Sequence, residues 1–525
     1  MGRKSEGHFS GGAYISVVFS MIFLAVISVV LSALEAVRVS AVRLQAEVAC
    51  AIACEAFLSQ YQPQVQARYG LYLIERDGYD VAFLQQFINE NCGYSKDRGD
   101  LCVRWQMPEL ESVTIDGELD IGAEDFRYFE EQISDLMIVK KGSDYAGEIL
   151  DRLSGNSSVD VEDEKDQFTS RLNQVGISSD SQKEAAQNAA QESEQNGQAG
   201  DPSGEEQNTS KIDDPRDSLT QMLKYPILSL IMDGEVSKAV LEFEGLSDLI
   251  SPEKNVSSIR SFMDYKDITN ELEDNSLDVA GIIQDTGNEF LVDCYIIDFF
   301  KNAAGQDRTD DSTVLSYEVE YILSGREADA ANLQNTVNRL SLIRMIMNMV
   351  YLMQSGTKTA AVRAVAAALA SAVLMPFLEE LFYLLIIAAW AYGEALVDCK
   401  CLLGGGKVPL MKSDSTWTLS LEQLTKIGIS QLSGYAAADN NSEGLGYEDY
   451  LRLLLLSISK EKKYIRLMNI IEANIRLEEG CGSFLLSNCV FGISVCADFI
   501  FYPVFFHNTL GKPRYEHHVR KSIAY

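Results

Sequence analysis

The sequence predicts an α+β protein in which a long N-terminal helix, apolar at its base, leads a mainly helical body carrying a few strands. Three observations point there. Residues 13–34, "AYISVVFSMIFLAVISVVLSAL", run for 22 positions without a charged side chain. Between 213 and 475 apolar residues recur at helical spacing in one segment after another. Short stretches at 69–74, 112–121 and 491–499 alternate apolar and polar residues instead, the period of a half-buried strand.

The opening run is longer than the roughly 7–15-residue apolar core of a secretory signal, and no small-x-small cleavage site follows it. As a helix it measures about 33 Å, enough to cross a hydrocarbon core of about 30 Å. It therefore reads as a retained single-pass transmembrane helix. No helix breaker intervenes between Ala13 and Pro63, so one helix of about 50 residues is expected, roughly 75 Å long. Beyond the apolar base, Val37, Ala41, Leu44, Val48, Ala51 and Leu58 step by threes and fours, interrupted by Glu55, with Ala46, Ala49, Ala53 and Ala56 thickening the stripe. Glu35 with Arg38 and Arg43 with Glu47 form polar pairs at one-turn spacing on the flanks, which are expected to face water. Val37, Ala41, Leu44, Val48 and Ala51 are thus the candidate helix–helix interface; packing of this half on its own domain is the competing expectation.

Length and composition bound the rest. A chain of 525 residues, 46% hydrophobic and 23% charged, has room for two or three domains, or for one large domain with insertions. Its 44 Lys+Arg against 77 Asp+Glu leave a formal charge of −33. Association with phosphate backbones needs clustered basic residues, so nucleic acid is not an expected partner and the acidity reads as solubility. The ten cysteines are irregularly spaced, and Cys399-Lys400-Cys401 lacks the spacing of a zinc site. Buried thiols are expected, with Cys92–Cys102 or a pair among Cys481, Cys489 and Cys496 as the alternative in an oxidising compartment.

Along the chain, a strand over 69–74, a helix over 81–89, a strand over 112–121 with Val113, Ile115 and Leu119 on one face, and a helix over 136–153 make a first α+β segment. From Ser178 to Lys211 no aromatic and no aliphatic side chain larger than Ala occurs. Such a stretch buries too little apolar surface to offset its ordering entropy, so a disordered insert is expected over 155–215. Helices are then predicted over 218–232, broken or kinked at Pro226, and over 290–300. Residues 315–352 read as two helices broken at Ser324-Gly325. Asp329 or Asn332 is positioned to cap the second, whose stripe of Leu340, Ile343, Ile346, Met347 and Val350 is core. The apolar runs 364–378 and 381–392 are each short for a membrane crossing and are separated by Glu379 and Glu380 beside Pro376. They read as buried helices, with a second crossing or membrane contact as the alternative. After a loop, 446–459 begins a helix that continues or restarts past Lys460, and 491–499 reads as a strand with an earlier strand to pair with. The expected organisation is an anchor and long helix over 1–62, an α+β segment over 63–154, the insert over 155–215, and a mainly helical α+β domain over 216–525.

Two resemblances follow from these residues. Gly11-Gly12 before the apolar run, the amphipathic continuation, and Gln66-Ala67-Arg68-Tyr69-Gly70-Leu71-Tyr72 resemble the minor pilin-like proteins of the tight-adherence (Tad, type IV-like) pilus system. Prepilins carry Glu where this chain has Val17, so the resemblance implies a membrane-anchored accessory in place of a filament subunit. Arg3 and Lys4 before the helix balance Arg38 and Arg43 after it. The pilin resemblance breaks that tie, implying a cytoplasmic N-terminus and an extracytoplasmic C-terminal domain. Further on, "YEVEYILSGREADAANL", "AWAYGEALVDCKCLLGGGKVPLMKS" and "YEDYLRLLLL" resemble domain of unknown function family 5702 of Gram-positive bacteria, which tends to accompany tight-adherence pilus genes. That family implies no catalytic residue.

The sequence carries few chemical motifs. Gly404-Gly405-Gly406-Lys407 fails the phosphate-loop pattern, because Cys401 and Val408 stand where Gly and Ser or Thr are required. The histidines are His8, His507, His517 and His518, the last two in a basic tail. No H-E-x-x-H and no G-x-S-x-G occurs. Glu318, Glu320, Glu379, Glu380, Glu394 and Asp398 are numerous enough to pair by chance, and helix-face ion pairs are the simpler reading than acid–base catalysis. No catalytic, cofactor-binding or metal residue is assigned, no cofactor and no small-molecule substrate. The expected function is a membrane-anchored, non-catalytic pilin-like accessory whose partners are the membrane and other pilus-assembly proteins. The alternatives are a membrane-tethered carboxylate-dependent hydrolase and a cell-surface binding or adhesin module.

Overall fold

The computed structural model describes residues 11–76, 80–92, 107–142, 145, 147–149, 166–174, 226–232, 234–241, 287–305, 312–426, 444–504 and 514–525. The chain forms two compact units: a sheet unit, Met1–Phe129 with Leu485–Tyr525, and a helical unit, Glu130–Phe484. Together they make the α+β mixture the sequence predicts.

In the sheet unit, α1 (Gly11–Leu58) is one helix of 48 residues, as the absence of breakers requires. At the usual rise it is about 72 Å long. From Ile15 it is long and apolar enough to cross a membrane, and the apolar window is entirely uncovered by the rest of the protein. After α2 (Pro63–Tyr69), Gly70 closes the helix at φ 72. Here the expected strand over 69–74 needs correcting. Tyr69 belongs to the helix, and only Ile74–Glu75 pairs, as β1. The left-handed turn at Gly70 uses up the first residues, and Leu71 and Leu73 fill the core without joining the ladder. Next come α3 (Val81–Asn91), capped by the Asp80 carboxylate, and β2 (Glu109–Asp120).

The strand expected over 491–499 is the spine of the sheet. It is β3 (Cys489–Phe501), antiparallel to β2 on one side and, on the other, to β1 and then β4 (Tyr515–Ala524). In β2, Val113 pairs with Ala497 and Ile115 with Val495, on the face the alternation predicts. The basic tail of the sequence reading is in fact a strand: His517 and His518 lie in β4, opposite Phe499 and Asp498.

The chain passes from the sheet unit to the helical unit within α4 (Ala123–Lys141). Most of the predicted insert 155–215 lies outside the described residues. Residues 166–174 within it are helical, with Phe168 and Leu172 buried, which corrects the expectation of disorder for that piece. The physical reason is local: these apolar side chains precede the purely polar stretch that starts at Ser178. Of the helix predicted over 218–232, α5 (Ile227–Ile231) is described, starting directly after Pro226.

The centre of the helical unit is α6 (Gly287–Phe299), α7 (Glu318–Ser324), α8 (Asp329–Gln354), α9 (Gly356–Ala372) and α10 (Glu379–Leu403), with α8 and α9 both packed on α10. α7 stops where the sequence says, at Gly325 with φ 65. A Cβ there would come within 2.5 Å of Arg466 Nε, so glycine is required twice over. Neither predicted cap of α8 caps it. The N-cap is Ala328, because the Asp329 carboxylate accepts from the Ser316 and Tyr317 N–H groups (2.8 and 3.1 Å) and Asn332 brackets the Arg326 backbone. The stripe Leu340, Ile346, Met347 and Val350 is buried, with Ile343 half-buried. The window of α10 that is apolar enough to span a membrane is 89% buried within the protein, so the second apolar run is a core helix. α9 ends with Leu374 at φ 57, a left-handed conformation that costs a non-glycine residue roughly 1–2 kcal/mol. Then come α11 (Leu421–Lys426), α12 (Tyr447–Leu456) and α13 (Lys460–Ile475), the last a restart after Ser459.

Candidate functional site

The candidate interface lies on α1, whose upper half is apolar on two opposite sides. One side is covered. Val42, Ala46, Ala49, Cys50, Ala53, Cys54 and Phe57 are buried, most of them in one core with Ile74, Leu84, Val495 and Phe499 of the sheet and α3. Small residues there let the helix lie close to the sheet. Ala46, Ala49 and Ala53, read from sequence as thickening the outer stripe, belong to this inner face. The expected packing on its own domain and the expected free stripe are therefore both present, on different sides.

The other side is open. Val37 is 69% exposed, Leu44 62% and Val48 48%; Ala41 is exposed and Ala51 half-buried. At 100° per residue these positions cluster roughly half a turn from Ala46 and Ala53. Ile52, which the spacing argument passes over, is 39% exposed and flanks the same line. The line continues downward through Leu34 and Val30, both about half exposed, into the apolar base. Glu55 ends it.

One polar flank differs from the sequence expectation. Glu35 is buried: its carboxylate accepts from Arg38 (2.7 Å) and from the Val504 N–H (3.3 Å), while Arg38 also donates to the Tyr502 carbonyl (2.7 Å). The pair at the foot of the helix's upper half is thus a clasp on the end of β3, not a solvated flank. Higher up, Asp498 accepts from Ser112 (2.7 Å) and pairs with His518; the Ser112 bond first, and then His518, hold its carboxyl below the usual range, and Asp498 raises the imidazole.

In the helical unit, the carboxylates considered as catalytic candidates have fixed partners. Glu394 and Asp398 lie one turn apart on α10. Lys412, buried, pairs with both, at 2.6 Å from Asp398. Arg344 of α8, fully buried, donates to Asp398 (3.0 Å), to the Pro409 and Leu410 carbonyls (3.0 and 2.8 Å) and to Tyr450 (3.0 Å). Glu394 also accepts from the Thr418 and Leu419 N–H groups (2.9 and 2.7 Å). Two cations against two anions pin the 404–420 loop to α8 and α10. A charge locked this way is poorly placed to move a proton.

Glu318 and Glu320 likewise receive backbone donors, from Lys301 and Ala303 (2.8 and 2.9 Å). Glu320 also accepts from Tyr447 (2.8 Å), and burial pushes its carboxyl up to about 7. Glu379 is half-buried at the start of α10, and Glu380 pairs with Arg171 and with Arg363 (3.1 Å). The three glycines after α10 do not turn their N–H groups outward as a phosphate cradle would. The Gly404, Gly405 and Gly406 N–H groups all turn back to the carbonyls of Lys400, Leu402 and Cys401.

A cavity of about 620 Å³ in the helical unit is lined by Glu148, Asp298, Lys407, Glu448, Asp449 and Arg452 among others. None of the carboxylates singled out from sequence lines it. Asp298 is held by Lys141 (3.0 Å), and Asp449 by Arg452 (2.9 Å). Among the described residues no group of three or more His, Cys, Asp or Glu is arranged to hold a metal. Cys50, Cys54, Cys92, Cys294, Cys399 and Cys401 are buried thiols, and Cys481, Cys489 and Cys496 remain thiols too; Cys102 lies outside the described residues. Burial pushes the Cys92 and Cys294 thiols up to about 12, far from a reactive thiolate.

No curated protein and no solved structure matches this chain. One family model does, over residues 205–500, a span that takes in most of the helical unit, the Arg344–Lys412 network and the spine strand β3. That match covers more than half of the sequence, and the chain therefore belongs to the Family of unknown function (DUF5702).

Proposed function

We propose that this chain is a membrane-anchored, non-catalytic accessory protein of a tight-adherence (type IV-like) pilus assembly system, its N-terminus cytoplasmic and the chain beyond the apolar base of α1 extracytoplasmic. One observation carries the reading. α1 leaves its apolar base with a second, uncovered apolar line through Val37, Ala41, Leu44 and Val48, although its inner face already satisfies the fold. An exposed stripe of that kind, continuous with a membrane-spanning segment, is a surface for another helix of the same build. Pilin-like helices associate along such lines, and the residues 66–72 that resemble the minor pilin-like proteins follow directly.

The test uses positions that the fold does not need. Leu44→Asp with Val48→Asp in the full chain should abolish co-purification with the pilus-assembly proteins of the native membrane while leaving the far-ultraviolet circular dichroism unchanged. Undiminished recovery of those proteins would remove the seam, and with it this function.

A further inference from the structure

The turn between α9 and α10 carries six consecutive apolar residues, Val373-Leu374-Met375-Pro376-Phe377-Leu378. Leu374 is 87% exposed, Val373 48% and Phe377 41%. No ionisable side chain occurs from Ala364 to Leu378.

Two independent features set this apex apart from an ordinary surface turn. First, Leu374 occupies the left-handed region, φ 57, where glycine is the residue that turns without strain. The chain has here a strained backbone in exchange for a large apolar side chain aimed outward. Second, four of the five N–H groups of the turn find acceptors within the protein. Val373 donates to Leu369 (3.1 Å), Leu374 to Ser371 (3.1 Å), Met375 to Ala370 (2.9 Å) and Leu378 to Met375 (3.0 Å), and Pro376 has no N–H to satisfy.

Water does not require that second feature, because an exposed turn finds partners in solvent. Hydrocarbon favours it, since backbone left unbonded there has no other partner. Two of the charges that flank the turn in sequence pair with each other. Arg363 pairs with Glu380 at 3.1 Å and lies 4.2 Å over the Tyr383 ring.

We propose that the α9–α10 turn inserts into the acyl region of a bilayer, with Leu374 at its apex and Val373 and Phe377 beside it. The inference rests on the reading of α1 as a membrane anchor, which tethers the helical unit near lipid and raises the effective concentration of a weakly binding apolar tip. α10 behind the turn is buried in protein, so the tip dips into one leaflet and does not cross.

The full chain carrying Leu374→Trp, reconstituted in phosphatidylcholine vesicles, tests it. Leu374 is exposed, so tryptophan there displaces no core. The added emission, taken as the difference from the parent chain with its three native tryptophans, should shift to the blue. It should be largely lost when the acyl chains are brominated, and should resist acrylamide. Emission that brominated lipid does not quench would overturn the proposal, whether acrylamide quenches it because the apex faces water or fails to because a protein partner covers it. Flotation of the parent chain with the vesicles separates the two readings. Flotation with an unquenched apex overturns the tip alone, whereas a chain that fails to float overturns the anchor and the tip together.

Discussion

The cores of the two units are closed by different means. In the sheet unit the side of α1 that meets the sheet is Ala46, Ala49, Cys50, Ala53 and Phe57, packed on Val495, Ala497 and Phe499, apolar throughout. In the helical unit the centre is threaded by charge: Arg344, Lys412, Lys463 and Arg466 are all buried, together with Asp293, Glu320, Glu394 and Asp398. Apolar packing holds elements face to face without regard to exact partners. Charge pairs in a dry interior demand particular partners, and they are used here where a loop must be fixed in place, as Arg344 and Lys412 fix 404–420.

The contrast is best broken at Lys412. Lys412→Met leaves Glu394 and Asp398 buried with one cation between them, and it should cost about 3–5 kcal/mol of stability, the usual penalty for stranding half of a buried ion network. Chemical denaturation of the full chain in detergent measures it. A loss below about 1 kcal/mol would mean that the network is not what fixes the loop.

A somewhat smaller effect is expected from pH. Burial raises Glu320 from its ordinary 4.5 to about 7, and burial raises Asp293 from 3.8 to about 6 against the pull of Lys463. A folded state with raised carboxyl pKa values binds more protons than the unfolded chain across that window. Stability is therefore fully present below about pH 4 and falls as pH rises to 7. Glu320→Gln should remove its share, on the order of 3 kcal/mol between pH 5 and 8, and flatten the profile of thermal midpoint against pH. An unchanged profile would show that Glu320 ionises freely in the folded state.

The mildest comparison sets the two sides of α1 against each other. Ala53→Leu overpacks the inner face and should cost about 1–3 kcal/mol. Val37→Ser on the open side should stay within about 0.5 kcal/mol. Equal losses would erase the distinction between a structural and a vacant face.

Much of this architecture was legible because it repeats. α1, the stripe on α8, and β2 with β3 follow simple periods that survive inspection one residue at a time. β4 did not, since only Val519 of its ten residues is buried and its charged neighbours read as a tail. The loop clamp was illegible for another reason: Lys412 lies 68 positions from Arg344, and a lysine in a loop carries no local sign that it will be buried. The exposed stripe of α1 was visible but incompletely sorted. Alanines serve an inner and an outer face equally well, and only the partner strands decide which.

The spine strand β3 carries a consequence for how the protein is made. β2 finds its hydrogen-bonding partner 386 positions later, where Ser112 meets Asp498, with the whole helical unit synthesised in between. At ribosomal rates of roughly 5–20 residues per second, that interval is about 20–80 s. Throughout it the part of the inner face of α1 that packs on β3 waits without that strand. During that interval a second copy whose own β3 is already made offers β2 a rival template.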